Sequence, residues 1–173
     1  MVHKDRGVAY DVPPGWRVDS PDGIVGFEAP TPLAMSGAAI YAEGFCTDSA
    51  HTWRAVAGVA EMSKSGALHA ASKKVAENWS HAYEDPAYGT RAVADPGKMT
   101  PVRAAGGARG YHVRYRVTVS GGNACTAPHA VIDVVTVRGK HSNGAFILAA
   151  DQGTAPDPSN KTLKKIVSSV RAY

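Results

Sequence analysis

Between Tyr111 and Val119 the chain alternates without a break. Tyr111, Val113, Tyr115, Val117 and Val119 are apolar or aromatic, and His112, Arg114, Arg116 and Thr118 are polar. A period of two describes a strand with one buried face and one wetter face. The next two segments differ. Val131–Val137 is apolar on both faces except at Asp133 and Thr136, and Ala145–Ala150 is apolar throughout, as in central strands covered on both sides. Ser120-Gly121-Gly122-Asn123 and the stretch from Arg138 to Gly144 supply the turns between them. Connections this short make antiparallel neighbours the simplest arrangement. These strands predict the middle of an antiparallel sheet with helices packed on it in three layers.

Upstream, Val8–Val12 reads as a short strand ended by Pro13 and Pro14, which cannot donate to a ladder. Trp16-Arg17-Val18 and Ile24–Glu28 flank a Ser20-Pro21-Asp22-Gly23 turn, and together these segments predict an N-terminal hairpin. Pro30 and Pro32 bar a helix in Ala29–Gly37, and Ala38–Glu43 is a further strand. Two helices follow on apolar spacing. The first is capped by Asp48 or Ser49, carries Trp53, Val56, Ala57 and Ala60 on its inner face, and ends at Ser65-Gly66. The second carries Leu68, Ala71, Val75, Trp79 and Ala82 in a stripe and stops at Pro86. Trp53 and Trp79 read as core anchors. Arg91–Ala94 and Met99–Arg103 read as strands around Asp95-Pro96-Gly97, and Ala104–Gly107 as a flexible connection.

Leu163, Ile166, Val167 and Val170 keep the i, i+3, i+4, i+7 rule and predict a closing helix capped by Asp157 or Ser159. Arg171 suits the negative end of its dipole. The expected fold class is α/β in the α+β sense, a central antiparallel sheet covered by helices on both faces. Residues 6–173 form a single domain, and residues 1–5 read as a linker remnant.

Composition narrows the class. At 173 residues, with 44% hydrophobic and 20% charged positions, the chain holds one core-bearing domain and is not a disordered polymer. The net charge is +4 and the pI about 9.1. The Lys and Arg residues are spread out, as in Lys73-Lys74 and Lys164-Lys165, so nucleic acid is not expected as a partner. No stretch approaches the roughly 18 apolar residues of a spanning helix. Met1–Asp5 lacks the apolar core of a signal peptide, which fits a cytosolic protein or a chain trimmed of its leader. The cysteines separate these. Cys46 and Cys125, the two in the chain, each sit beside a turn or strand end. A lone pair suggests a disulfide and an oxidising compartment, against two unrelated buried thiols.

Catalytic and metal signatures are absent. No His-Glu-x-x-His or Cys-x-x-Cys occurs, and no Gly-x-Ser-x-Gly. Gly106-Gly107-Ala108-Arg109-Gly110 is glycine-rich but lacks the Lys-Ser/Thr of a phosphate-binding loop. One nucleophile arrangement stands as an alternative, Cys125 with His129 as a thiol hydrolase or transferase. The more suggestive surface is basic: His112, Arg114 and Arg116, with Arg103 and Arg138 as neighbours on adjoining strands. Such an array attracts an anionic polymer, lipid headgroup or acidic partner, unless helix carboxylates such as Glu61, Glu77 or Glu84 cover it.

Two segments also resemble a known group. Tyr10-Asp11-Val12-Pro13-Pro14-Gly15-Trp16 is similar to the aromatic–apolar–Pro–Gly–Trp opening of the PsbP-like superfamily, and the Leu163–Arg171 helix is similar to its closing helix. That group includes LpqN-type envelope lipoproteins and membrane-anchored proteins of high-GC Gram-positive bacteria. The resemblance implies a PsbP-like sandwich. It also implies a non-enzymatic extracytoplasmic binding or scaffolding domain without a cofactor, secreted or attached to the cell membrane through an anchor. The partner would be an envelope protein or an anionic envelope component. The two cysteines and the Arg-bearing strand depart from the group, and no lipobox cysteine is present.

Overall fold

The computed structural model describes residues 1–3, 6–28, 31–47, 52–63, 66–139 and 143–173. Within them the chain is built mainly from strands: β1 (Val2–His3), β2 (Val8–Ala9), β3 (Arg17–Val18), β4 (Ile24–Phe27), β5 (Leu33–Tyr41) and β6 (Ala55–Ala60), then β7 (Thr90–Pro96), β8 (Thr100–Arg103), β9 (Arg109–Gly121), β10 (His129–Arg138), β11 (Asn143–Gln152) and β12 (Arg171–Ala172). Two α-helices interrupt them, α1 (Leu68–Trp79) and α2 (Asn160–Ser168). The large sheet has nine strands in the order β3-β5-β6-β11-β10-β9-β7, with β4 also on β5 and β8 also on β9, and every pairing is antiparallel. A small second sheet, β1-β2-β12, lies against it.

The predicted centre is where it was expected. β9, β10 and β11 are consecutive antiparallel neighbours, with Asp133 opposite Arg114 and Val134 opposite Ile147. β11 is buried along almost its whole length, as its unbroken apolar run requires. Ser159 caps α2 by accepting from the Thr162 N–H at 3.2 Å. The Ser20–Gly23 turn closes through Gly23 N–H to Ser20 O at 3.0 Å.

The fold class is corrected. Helical layers do not cover the two faces of a sheet: among the described residues there are two short α-helices, one against part of each face, a second small sheet shares one of those faces, and the molecule is mostly β and sandwich-like. The main reason is β6. The segment carrying Trp53, Val56, Ala57 and Ala60, expected as an amphipathic helix, instead forms β6, which pairs β5 on one side and β11 on the other, and all six residues Ala55–Ala60 are buried. The Asp48 and Ser49 caps expected for that helix lie outside the described residues. One face of the large sheet packs against α1 through Leu68, Val75, Ala76 and Trp79. The other packs against the small sheet, through Val8 and Tyr10, and against Leu163 and Ile166 of α2. Tyr10 packs in a tilted arrangement against Phe146, with ring centroids 4.9 Å apart.

The N-terminal hairpin is also corrected. β3 and β4 do not pair with each other; both lie end to end along β5, which begins at Leu33 instead of Ala38. β5 has nine residues, enough edge for two short strands. Helix α1 ends at Trp79, ahead of Pro86, which instead opens a 3-10 turn. Trp79 is a core anchor, whereas Trp53 is half-buried at the margin, edge-on to Phe27 at 6.0 Å.

Candidate functional site

Alternation along β9 puts His112, Arg114 and Arg116 on one face, as expected. The structure divides them. Asp133 of β10, 0% exposed, lies directly opposite Arg114. Arg114 grips it with both arms, Nε to Oδ1 at 2.9 Å and Nη2 to Oδ2 at 2.6 Å, and His112 adds Nε2 to Oδ1 at 2.7 Å. Arg114 neutralises the buried carboxylate, His112 adds a hydrogen bond to it, and together they hold β9 to β10. The covering carboxylate is thus a neighbouring strand's aspartate, not Glu61, Glu77 or Glu84. Arg116 remains exposed, opposite Asp95 of β7. Arg138 sits at the far end of β10 and belongs to a different feature.

That feature is an open cleft of about 740 Å³. Its walls are the first turn of α1 with Ala67, the β8–β9 hairpin, and Arg138. The hairpin register sets Arg103 opposite Arg109, Val102 opposite Gly110 and Pro101 opposite Tyr111. Gly110 is required there, since a Cβ would run into the Thr136 carbonyl of β10. Arg103, Arg109 and Arg138 are all exposed, and none joins an ion pair among the described residues. Among the described residues Arg138 donates one side-chain hydrogen bond, from Nη2 to Gly66 O at 3.4 Å. His69 and Tyr111 meet edge to face at 5.0 Å, and Leu68, Pro101 and Val102 add apolar wall.

Among the described residues, no carboxylate lines the cleft. At its α1 end, Ala67 occupies the N-cap without a side-chain hydrogen bond, and the first turn carries no acid. The leading N–H groups of α1 therefore add partial positive charge to that of the guanidiniums. Chemically, the cleft offers forked donors for oxyanions beside an aromatic and aliphatic wall. Sequence reading passes over Arg109, because its glycine-rich segment is weighed only as a nucleotide loop. The signal that identifies it is an arginine at each end of a tight turn, Arg103 and Arg109, which a hairpin necessarily juxtaposes.

Cys46 and Cys125 form a disulfide with their Cα atoms 5.8 Å apart. Its sulfur committed to the bridge, Cys125 presents no thiolate to His129. Arg54, 3% exposed, lies at the same end of the sheet. Its Nη1 donates to Cys125 O at 3.0 Å and to Asp151 Oδ2 at 2.9 Å, and its guanidinium stacks 3.7 Å above the Phe45 ring. The Nε of Arg54 is buried and has no hydrogen-bond partner among the described residues. Burial pushes the Asp151 carboxyl up to about 6, against the downward pull of Arg54 and of a hydrogen bond from Tyr83. Sequence reading misses this cluster because Arg54 and Asp151 are 97 positions apart.

Among the described residues, no three His, Cys, Asp or Glu side chains are grouped to hold a metal ion. Nor, among the described residues, is any helix long and apolar enough to cross a membrane. The disulfide is compatible with an extracytoplasmic location. No curated protein matches the sequence. The sequence profile of one family, described as Domain of unknown function (DUF8017), matches residues 1–173, and the chain belongs to that family.

Proposed function

We propose that this is a non-enzymatic extracytoplasmic binding domain whose cleft between α1 and the β8–β9 hairpin captures an anionic group of the cell envelope. The observation that carries this reading is the direct opposition of Arg103 and Arg109 across a hairpin, with Arg138 beside them at the end of β10, just past Val137 opposite Gly110, and no acid among the described lining residues. Like charges directly opposite each other on paired strands are destabilising. The fold gains nothing from this pair, whereas an oxyanion set between the guanidiniums converts the repulsion into charge-assisted hydrogen bonds. The disulfide supports an oxidising compartment, and the opening segment's resemblance to envelope proteins points to attachment at the membrane or secretion.

Isothermal titration with inorganic phosphate and with a phosphodiester polymer such as polyglycerol phosphate tests it. Binding is expected to weaken as ionic strength rises from about 0.01 to 0.5 M. Arg103→Glu combined with Arg138→Glu is expected to lower affinity roughly tenfold or more, while Arg116→Glu, outside the cleft, leaves it near the parent value. Equal affinity in the cleft variant and the parent would refute the assignment.

A further inference from the structure

Strand β7 ends the nine-stranded sheet, and among the described residues no strand pairs with its outer side. The ladder to β9 fixes which backbone groups are left over. Asp95 is opposite Arg116, Val93 opposite Thr118 and Arg91 opposite Ser120. Just beyond the strand, Gly97 N–H donates to Arg114 O at 2.8 Å, and on the other side of β9 Val119 N–H donates to Pro128 O at 2.9 Å. Antiparallel alternation therefore directs the backbone groups of Arg91, Val93 and Asp95 to β9 and turns those of Ala92 and Ala94 outward. Thr90 N–H is already taken by Asp85 O at 2.9 Å, and Pro96 has no N–H. The open edge thus rests on Ala92 and Ala94, with one donor and one acceptor each.

The side chains on this edge have their own order. Arg91, Val93 and Asp95 share the exposed face, and Val93 is 73% exposed. Neither Arg91 nor Asp95 joins an ion pair among the described residues. The sequence Arg-Ala-Val-Ala-Asp is complementary to itself when reversed. We propose that β7 pairs antiparallel with β7 of a second copy of this chain, on a two-fold axis through Val93. In that register Val93 meets Val93, and each Arg91 meets Asp95 of the other copy. Ala92 and Ala94 exchange four backbone hydrogen bonds across the axis.

Val93 and the two charge pairs then occupy the non-hydrogen-bonded positions, where cross-strand side chains come closest. A shift of two residues, the smallest that keeps the faces matched, sets Val93 opposite a charge and leaves the other charge without its counterpart. Pro96 and the engaged Thr90 N–H stop the pairing from lengthening, which makes a closed dimer instead of an open aggregate. Four hydrogen bonds and one apolar contact make it a weak dimer.

Sedimentation equilibrium of the disulfide-intact chain over a wide concentration range tests this. The parent is expected to show a reversible monomer–dimer equilibrium. Arg91→Asp, which makes the edge all acidic, and Asp95→Arg, which makes it all basic, are each expected to weaken self-association roughly tenfold or more. Mixing the two variants one to one is expected to restore the dimer, since the all-acidic edge of one then lies against the all-basic edge of the other. Both positions are exposed, so each variant keeps the parent's thermal midpoint. A parent that stays monomeric at its highest soluble concentration overturns the proposal. Single variants that dimerise like the parent, or a mixture no more associated than its components, overturn it as well.

Discussion

Replacing Asp133 with alanine removes the carboxylate that Arg114 and His112 share. Breaking a buried ion pair typically costs about 3–5 kcal/mol, because one charge is left without its counterpart. Here the stranded guanidinium is 23% exposed and water compensates part of the loss, so about 2–4 kcal/mol is expected by urea denaturation. Arg116, exposed on the same strand face, joins no ion pair among the described residues, and Arg116→Ala should fall within about 0.5 kcal/mol of the parent. The alternation that exposed this basic face was legible in β9 alone. Its neutralisation was not, because it depends on which residue of β10 falls opposite Arg114, a matter of register.

Asp151 carries a pH prediction. Its folded carboxyl lies near 6 against an ordinary value of 3.8, chiefly through burial. A carboxyl raised in the fold binds its proton more tightly folded than unfolded, so its contribution to stability falls as pH rises from about 4 to about 6 and is level above that. The slope is at most about 1.4 kcal/mol per pH unit. Asp151→Asn abolishes it, so the stability difference between parent and variant should change across that window in pH-dependent thermal melts, with the parent losing ground to the variant as pH rises. A difference independent of pH would show that Arg54 and Tyr83 fully offset the burial.

Among the elements, β6 shows where periodicity stops being informative. Ala55-Val56-Ala57-Gly58-Val59-Ala60 is apolar at every position, so a three-and-four spacing is satisfied automatically, as any spacing would be. A strand buried between two partners and a helix facing a core then look alike, and the β-branched valines and Gly58 were the available discriminators. Gly58 has a packing reason: a Cβ there would approach Met35 Sδ of the neighbouring β5 to 2.6 Å and its Cγ to 2.9 Å. Gly58→Ala is expected to destabilise by about 1–3 kcal/mol through overpacking. The same change in a Met35→Ala background should cost less than half as much, since the space it needs is then empty. A double-mutant cycle on urea midpoints measures this coupling. By contrast β9, β10 and α2 were readable because their patterns mix polar with apolar residues, or carry a cap such as Ser159, and a mixed pattern fixes both period and face.

For the whole molecule, the Cys46–Cys125 bridge matters through what it joins. Cys46 lies in the connection after β5, and Cys125 in the turn between β9 and β10. In the sheet these places are separated by β6 and β11. The bridge therefore ties the two halves of the large sheet at one end, beside the Arg54 cluster that spans the same strands with hydrogen bonds. The sequence showed a pair of turn-adjacent cysteines but could not show that they meet, because the fold between them includes a strand that reads as a helix. With the cysteines 79 positions apart, loop-closure entropy alone predicts that the Cys46→Ser/Cys125→Ser variant loses about 4–5 kcal/mol. Urea unfolding of the two proteins measures the difference, and the variant should also unfold with a steeper denaturant dependence, because its unfolded chain exposes more surface. If Arg54 pins the same end independently, the native state of the variant keeps its shape, and the loss appears as a lower midpoint with an unchanged folded baseline in near-ultraviolet circular dichroism. A shifted folded baseline would mean that the bridge, and not the Arg54–Asp151 pair, positions the Phe45 and Cys125 loops.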